Sequence, residues 1–304
     1  MTRFIIFRLL QGLLVIALVY AISFWLLMAT PGDPFVGSKQ PPASVLQALR
    51  KRYGLSNPAK AFVLYPWRVI TRGDLGPTIT YQDWTVNDVI GAALPVSMAL
   101  GCFALVIALW AGVGLGVAGA LYRGRWPDIA LTIVTLLGVS VPTFVTGSLL
   151  LMGFGVYWAV LPSGGWGNIS QLILPSITLS LVYLAYIARL TRVSVLDTLN
   201  ADFVRTARAK GLPERAVIGN HVLRNAALPV LSFLGPSAAM VLTGSFVVEK
   251  LYAIPGLGED FVNACLNKDI PLVLGCVLAY TVLVVAFNLL VDIACAFADP
   301  RITL

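Results

Sequence analysis

The chain has 304 residues, 58% of them hydrophobic and 12% charged, with a net charge of +7. A soluble domain carries roughly 25% charged residues, so half that density cannot cover a water-facing surface; the composition excludes a soluble globular protein and leaves a multi-span helical membrane protein. The basic residues lie in segments between apolar runs, where the positive-inside tendency accounts for them, and a nucleic-acid-binding reading is rejected.

In chain order, Arg3 and Arg8 precede an apolar run from Leu9 to Thr30. The run is too long for the core of a signal peptide, and no small-x-small site ends it before Pro31-Gly32-Asp33-Pro34, so an uncleaved first span over about 9–29 is expected. Segment 31–94 follows. Pro41-Pro42-Ala43-Ser44 marks a helix start, with Val45, Leu46, Leu49 and Tyr53 near helical spacing. Asn57-Pro58 marks a second start, Asn as N-cap and Pro at the first helical position, and Gly73-Asp74-Leu75-Gly76-Pro77 ends that helix. A small helical cap outside the membrane is expected, one that covers the spans or meets an extracytoplasmic delivery protein. A second span is placed at about 95–121, after Pro95. From Ile129 to Ala188 there is no charge, and the turn-rich Leu161-Pro162-Ser163-Gly164-Gly165-Trp166-Gly167-Asn168 divides this stretch into a third span near 129–157 and a fourth near 172–194. The fifth is placed at about 229–249 and the sixth at about 272–296. The expected organisation is therefore residues 1–30 as N-terminus and first span, 31–94 as a periplasmic segment, and 95–304 as a five-helix core with a cytoplasmic loop at 197–228.

With the N-terminus inside, twelve of the 21 Lys and Arg fall on inner segments. The short outer loops hold only Lys250 and Lys268, and the rest lie in segment 31–94, which is too long to vote. Both termini are expected in the cytoplasm.

The inner loop after the fourth span is a basic island, Phe203-Val204-Arg205-Thr206-Ala207-Arg208-Ala209-Lys210-Gly211-Leu212-Pro213-Glu214-Arg215, continuing to His221, Arg224 and Pro229. It holds five of the basic residues and the only His. Residues 200–210 can form a short amphipathic helix, with Asp202 or Asn200 accepting from its free N–H groups. Phe203, Val204 and Ala207 form its apolar face; Arg205, Arg208 and Lys210 face water or a partner. Gly211 suits the left-handed C′ position, Pro213 the first turn of a second helix, and Glu214 that helix's dipole. Small Ala207 and Gly211 would allow another chain to approach closely.

This helix, hard turn, helix pattern resembles the coupling loop, or EAA loop, of binding-protein-dependent ABC transporter permeases. Of its Glu-Ala-Ala, three residues, Gly pattern, the second Ala and the Gly match Ala207 and Gly211, while Arg205 and Thr206 stand for Glu and the first Ala. Arg-Thr-Ala-Arg-Ala-Lys-Gly-Leu is the usual form in the peptide and nickel importer branch. Pro31-Gly32-Asp33-Pro34-Phe35, Gly73-Asp74-Leu75-Gly76-Pro77, Ser194-Val195-Leu196, Leu223-Arg224-Asn225-Ala226, Ile254-Pro255-Gly256-Leu257-Gly258 and Asp299-Pro300-Arg301 resemble that branch too. Tyr81-Gln82-Asp83-Trp84-Thr85-Val86-Asn87-Asp88, Leu161–Trp166 and Leu228–Pro236 are most similar to the B-type subunit of oligopeptide permeases; dipeptide and nickel permeases fit these less well. The resemblance implies a type I ABC importer permease of six transmembrane helices, all-α. It also implies a homologous second permease in a heterodimer, two cytoplasmic ATPases, an extracytoplasmic peptide-binding protein and a peptide substrate. It assigns ATPase coupling to Phe203, Arg205, Thr206, Ala207, Arg208, Lys210, Gly211, Leu212 and Pro213.

The chain has no G-x-x-x-x-G-K-[ST] loop, so ATP and Mg would be bound by partner subunits and no cofactor by this chain. Gly112-Val113-Gly114-Leu115-Gly116 lies in an apolar run, where close helix packing explains it. A single His and no G-x-S-x-G turn leave no catalytic constellation, and Cys102, Cys265, Cys276 and Cys295 read as small buried hydrophobes with no metal site. Asp292, the nearest to an intramembrane charge, falls in the last turns of the sixth span, unlike the mid-membrane groups of a proton-coupled carrier. Ser140, Thr143, Thr146, Ser176, Thr178, Ser180, Thr243 and Ser245 are the candidates for lining a weakly charged translocation path. The rival from another class is an energy-independent channel or carrier whose basic island only orients the chain.

Overall fold

A computed structural model describes residues 2–31, 44, 47, 57–81, 83–242 and 246–298, with side chains from Ile5 to Ile293. Of the helix expected over 41–53 only Ser44 and Gln47 are described, both helical, and the rest lies outside the described residues, as do Thr243 and Ser245. Among the described residues the helices are α1 Thr2–Ala29, α2 Pro58–Arg72, α3 Val86–Leu121, α4 Trp126–Ser140, α5 Thr143–Tyr157, α6 Ile169–Leu199, α7 Asp202–Ala209, α8 Glu214–Leu242, α9 Phe246–Leu251, α10 Leu257–Leu266 and α11 Ile270–Ala298. Five are long and apolar enough to cross a membrane (α1, α3, α6, α8 and α11), and the bent pair α4–α5 makes a sixth if it counts as one span. The all-α, multi-span fold class holds.

Three span expectations are corrected. The second span does not start after Pro95: α3 begins at Val86 and carries Pro95 inside it. Its start is fixed by Thr85 and Asp88, whose side chains bond reciprocally. Asp88 Oδ2 accepts from Thr85 N at 2.9 Å, and Thr85 Oγ1 accepts from Asp88 N at 3.3 Å. This capping box satisfies N–H groups that a helix start otherwise leaves unpaired. The third span is not one straight helix: α4 and α5 meet at 111°. Pro142 has no N–H to continue the ladder and disfavours helical geometry at the residue before it, and Val141 is extended there at φ −90°, ψ 125°. The fourth span is longer than expected, running over 169–199, with Pro175 inside it and Gln171 Oε1 accepting from Asn168 N at its start.

By contact the chain divides into two units. Residues 1–97 with 255–285 form the first. In it, Tyr20 and Phe24 of α1 and Leu274 of α11 are buried against Ala61, Phe62 and Tyr65 of α2. A second cluster joins Val86, Val89, Ile90 and Ala93 of α3 to Leu257 and Ala264 of α10 and to Leu272, Val273 and Cys276 of α11. Asp269, fully buried, closes this unit: Oδ2 accepts from Thr78 Oγ1, Ile79 N and Thr80 N at 2.7–2.8 Å, and Oδ1 caps α11 through Leu272 N. The α2 expectations hold here, with Asn57 Oδ1 accepting from Lys60 N, Pro58 first in the helix, and Gly73 ending it in the left-handed region at φ 64°.

Residues 98–254 with 286–304 form the second unit. Its α3 and α6 come close enough that a Cβ on Gly116 would lie 2.6 Å from the Ala188 carbonyl oxygen, and one on Gly112 3.0 Å from that of Leu184. The Gly112–Gly116 stretch thus serves helix packing, the small-residue device of membrane interfaces. Asp128, at the start of α4, receives Arg192 of α6 in a two-toothed pair, Nε to Oδ1 at 2.6 Å and Nη2 to Oδ2 at 3.0 Å. Among the described cysteines, burial holds only for Cys276, and Cys102 and Cys265 are exposed; the Cys295 side chain lies outside the described residues. An apolar stretch facing lipid places a thiol on the outside of the bundle as readily as inside it.

Candidate functional site

The basic island folds as a short helix clamped onto the second unit. Helix α7 spans eight residues. Val204 and Ala207, three apart and so on one face, are buried with Val195 of α6, Ala120 of α3, and Val217, Val222 and Ala226 of α8. The expected N-cap is wrong: Ala201 occupies it with no side-chain bond. Asn200 instead donates its Nδ2 to the Leu196 carbonyl, and Asp202 lies 3.5 Å from Arg205. Thr206 Oγ1 donates to the Asp202 carbonyl within the helix.

The C-terminal end of α7 is a double-bonded stop. Gly211 N donates to Arg208 O at 2.9 Å and Leu212 N to Ala207 O at 3.4 Å, with Gly211 left-handed at φ 78°. These are the two bonds of a Schellman motif, which needs a residue free to take positive φ at C′. Pro213 is not in the first turn as expected but at the N-cap, extended at φ −65°, ψ 144°, ahead of Glu214, the first residue of α8. Arg208 Nε and Nη2 donate to Glu214 Oε2 and Oε1 across the turn at 3.2 and 2.5 Å. The carboxylate stabilises the charged guanidinium and raises its pKa. Residues Val217–Leu223 of α8 form a π-helical turn carrying the half-buried His221, and α8 then runs on through Pro229 into the membrane.

The structure sorts the candidate coupling residues by exposure. Phe203 is 45% and Leu212 41% exposed, two large apolar side chains that this chain leaves uncovered. Arg205, Thr206, Arg208, Lys210, Gly211 and Pro213 are exposed with them. Ala207 is not part of that surface: it faces the chain's own core at 4% exposure. Its small size serves the seating of α7 rather than the approach of another chain. Phe203, expected beside Val204 and Ala207, stays 45% exposed while Val204, one residue on and turned by about 100°, is fully buried; four residues before Ala207, it stands at the edge of the buried face.

The path candidates divide likewise. Ser176, Thr178 and Ser180 are buried. Thr178 shares a 2.9 Å hydrogen bond with the Tyr252 hydroxyl, which also bonds Gly147 O, and Ser180 donates to Ile177 O. Ser176 Oγ has no partner. Thr146 Oγ1 donates to Thr143 O. Ser140 is exposed on the wall of an open cavity of about 570 Å³ between α4 and α6, together with Tyr186, Arg189 and the Asp128–Arg192 pair. That ion pair joins residues 64 apart, and no local pattern announces it.

Residues 112–304, which contain α6, α7 and α8 entire, match the description "Binding-protein-dependent transport system inner membrane component". The chain belongs to this family. It is a multi-pass inner-membrane permease subunit, ATP hydrolysis belongs to a separate subunit, and the family carries no cofactor in the permease. Membership in a binding-protein-dependent system entails ATPase and binding-protein partners. The chain is 41% identical to the oligopeptide transport system permease protein OppB of Salmonella typhimurium over 99% of both chains, and 40% identical to that of Escherichia coli K12 over the same share. It is 37% identical to the dipeptide transport system permease protein DppB of Lactococcus lactis over 100% of both. Among solved structures, the crystal structure of an amino acid ABC transporter with histidines superposes with a TM-score of 0.55 at 15% identity, over 68% of this chain and 93% of that one. This likeness concerns the fold alone.

Proposed function

We propose that this permease is the B-type subunit of an ATP-driven oligopeptide importer. The reading rests on end-to-end likeness to OppB proteins at 40–41% identity, against 37% for the dipeptide relatives. It assembles with a homologous second permease, two cytoplasmic ATPases and an extracytoplasmic peptide-binding protein, with both termini and the α7 turn on the cytoplasmic side.

Helix α7 works as the lever. Phe203, Arg205, Thr206, Arg208, Lys210, Gly211, Leu212 and Pro213 are exposed, two large apolar side chains among basic ones in sequence, a composition suited to a groove in one ATPase. The buried Val204 and Ala207 tie α7 to α6 and α8, so a displacement of the docked helix passes into the spans. ATP-driven closure of the ATPases opens the spans outward to take peptide, and hydrolysis resets them inward. Such coupling requires contacts that differ between the two states. Ser140, Thr143 and Thr146 are our candidates for the path, together with Thr243 and Ser245. Thr178 and Ser180 are buried as well as internally bonded, which suits a packing role, whereas Thr146 is only half-buried; buried Ser176 joins the path only when the spans open.

The test is uptake of labelled di-, tri- and pentapeptide and of nickel by a deletion strain complemented with this chain. Pentapeptide uptake supports the proposal; uptake confined to dipeptide or to nickel replaces the substrate. Purification without stoichiometric ATPase subunits would favour an energy-independent carrier.

A further inference from the structure

Helix α2 is apolar on both long faces. One face is held by the first span: Phe62 stacks on Tyr20 with centroids 5.3 Å apart and meets Phe24 at 5.4 Å, Tyr65 stacks on Tyr20 at 5.8 Å, and the Tyr20 hydroxyl donates to Phe62 O. The opposite face carries Val63 at 66%, Leu64 at 49%, Trp67 at 66% and Ile70 at 80% exposure. Two rulers fix the depth of this contact. If the hydrocarbon begins after Arg8, a core of about 30 Å at 1.5 Å per residue reaches Met28, which puts Tyr20 about 12 Å and Phe24 about 6 Å inside the far boundary. In α11, Leu274 and Leu278 join the same cluster, about 6 and 12 Å in from its first residue, Ile270. Helix α2 is therefore seated below the level at which these spans leave the bilayer.

We propose that α2 is an interfacial helix whose Val63–Leu64–Trp67–Ile70 face lies against lipid rather than a cap standing in water. The neighbouring span α1 likewise leaves Leu18, Ile22 and Leu26 uncovered, as a lipid-facing helix does. Its chemistry suits that medium. Thr71 Oγ1 donates internally to Trp67 O at 2.7 Å and needs no water. Lys60 in the first turn ends the stripe on the same face, and a long basic side chain reaches headgroups while its stem lies on apolar surface. Arg68 is turned aside, 3.5 Å from Asp74 and over the Tyr65 ring. A water-borne delivery protein would have to displace lipid to reach this face. The choice of the outer leaflet follows from the orientation proposed above; the lipid contact does not depend on it.

The test uses the purified complex with its partner subunits in nanodiscs. A nitroxide is attached at Ile70→Cys or at Val63→Cys, with Cys102 and Cys265 replaced by serine. Relaxation by oxygen with shielding from chromium oxalate at both sites, unchanged by peptide-loaded binding protein, is the expected result. Relaxation by chromium oxalate would place the face in water. Shielding from both reagents would assign it to a neighbouring permease, and shielding only after binding protein is added would assign it to delivery; any of the three overturns the proposal. Brominated lipid gives a second reading without labels: it should quench wild-type fluorescence more than that of Trp67→Phe, and equal quenching counts against lipid contact.

Discussion

Arg208 and Glu214 grip each other across the Gly211 turn, one in the last turn of α7 and the other at the head of α8. The pair braces the turn between α7 and the helix that enters the membrane. It is exposed, so its strength is modest and falls with salt. Glu214→Gln should lower peptide-stimulated ATPase about twofold, the scale of an exposed pair, with basal ATPase and assembly unchanged. The exchange Arg208→Glu with Glu214→Arg should restore much of it. If Glu214→Gln matches wild type at low and at high salt, the clamp has no part in coupling.

Gly211 separates backbone strain from surface recognition. A Cβ there meets nothing within 4 Å, so only the positive φ opposes a side chain. Gly211→Ala should cost about 1 kcal/mol and keep most peptide-stimulated activity. Gly211→Asp, placing a negative charge on the basic docking face, should abolish stimulation while the complex stays assembled in the membrane. Stimulation that survives the aspartate would sink the coupling role assigned to α7.

Ala207 tests the seating of α7. It is buried beside Val195, Val217 and Val222, so Ala207→Leu should overpack the contact, a change that costs about 1–3 kcal/mol. The expected signature is a lower melting temperature of the detergent-solubilised complex together with weakened coupling. Ala209→Leu, on the exposed side, should leave the melting temperature unchanged.

Asp260 makes a pH prediction. It accepts a 2.7 Å hydrogen bond from the Tyr81 hydroxyl. Burial nevertheless raises its pKa above the ordinary carboxylate range, and the same burial with the bond to Asp260 pushes Tyr81 up to about 12. A raised carboxyl pKa means the native state holds the proton more tightly than the unfolded chain. Asp260's contribution is therefore fully present below the unfolded value of about 3.9 and is lost as pH rises through the native one. Asp260→Asn keeps an acceptor for Tyr81 and removes the buried charge. Its melting temperature relative to wild type should rise between pH 4 and pH 7; a difference that is constant across that range would contradict this account.

The coupling turn was legible because its rules are local. Gly211 at C′, Pro213 ahead of Glu214, and the basic spacing depend on neighbours a few residues away. The Thr85–Asp88 capping box is local as well, but Pro95 masks it, although a proline inside a long helix costs one backbone bond and need not end it. The break at Val141-Pro142 carried a signal of the same kind, masked by an uninterrupted apolar run. Nothing local showed that Ala207 would be buried and Phe203 left 45% exposed, since that depends on how α7 is seated against Val195 and Val222.

By itself, the amino-acid sequence determined that this chain crosses a membrane several times and places a helix–glycine–helix turn between two spans. Charge density, apolar run length and turn chemistry are properties of contiguous residues. Only the tertiary structure decided which island residues are free to meet a partner, that Asp269 gathers Thr78, Ile79 and Thr80 from about 190 residues away, and that α2 rests on Tyr20 below the end of the first span. Those outcomes are set by which surfaces are buried against each other, and burial is a property of the folded chain.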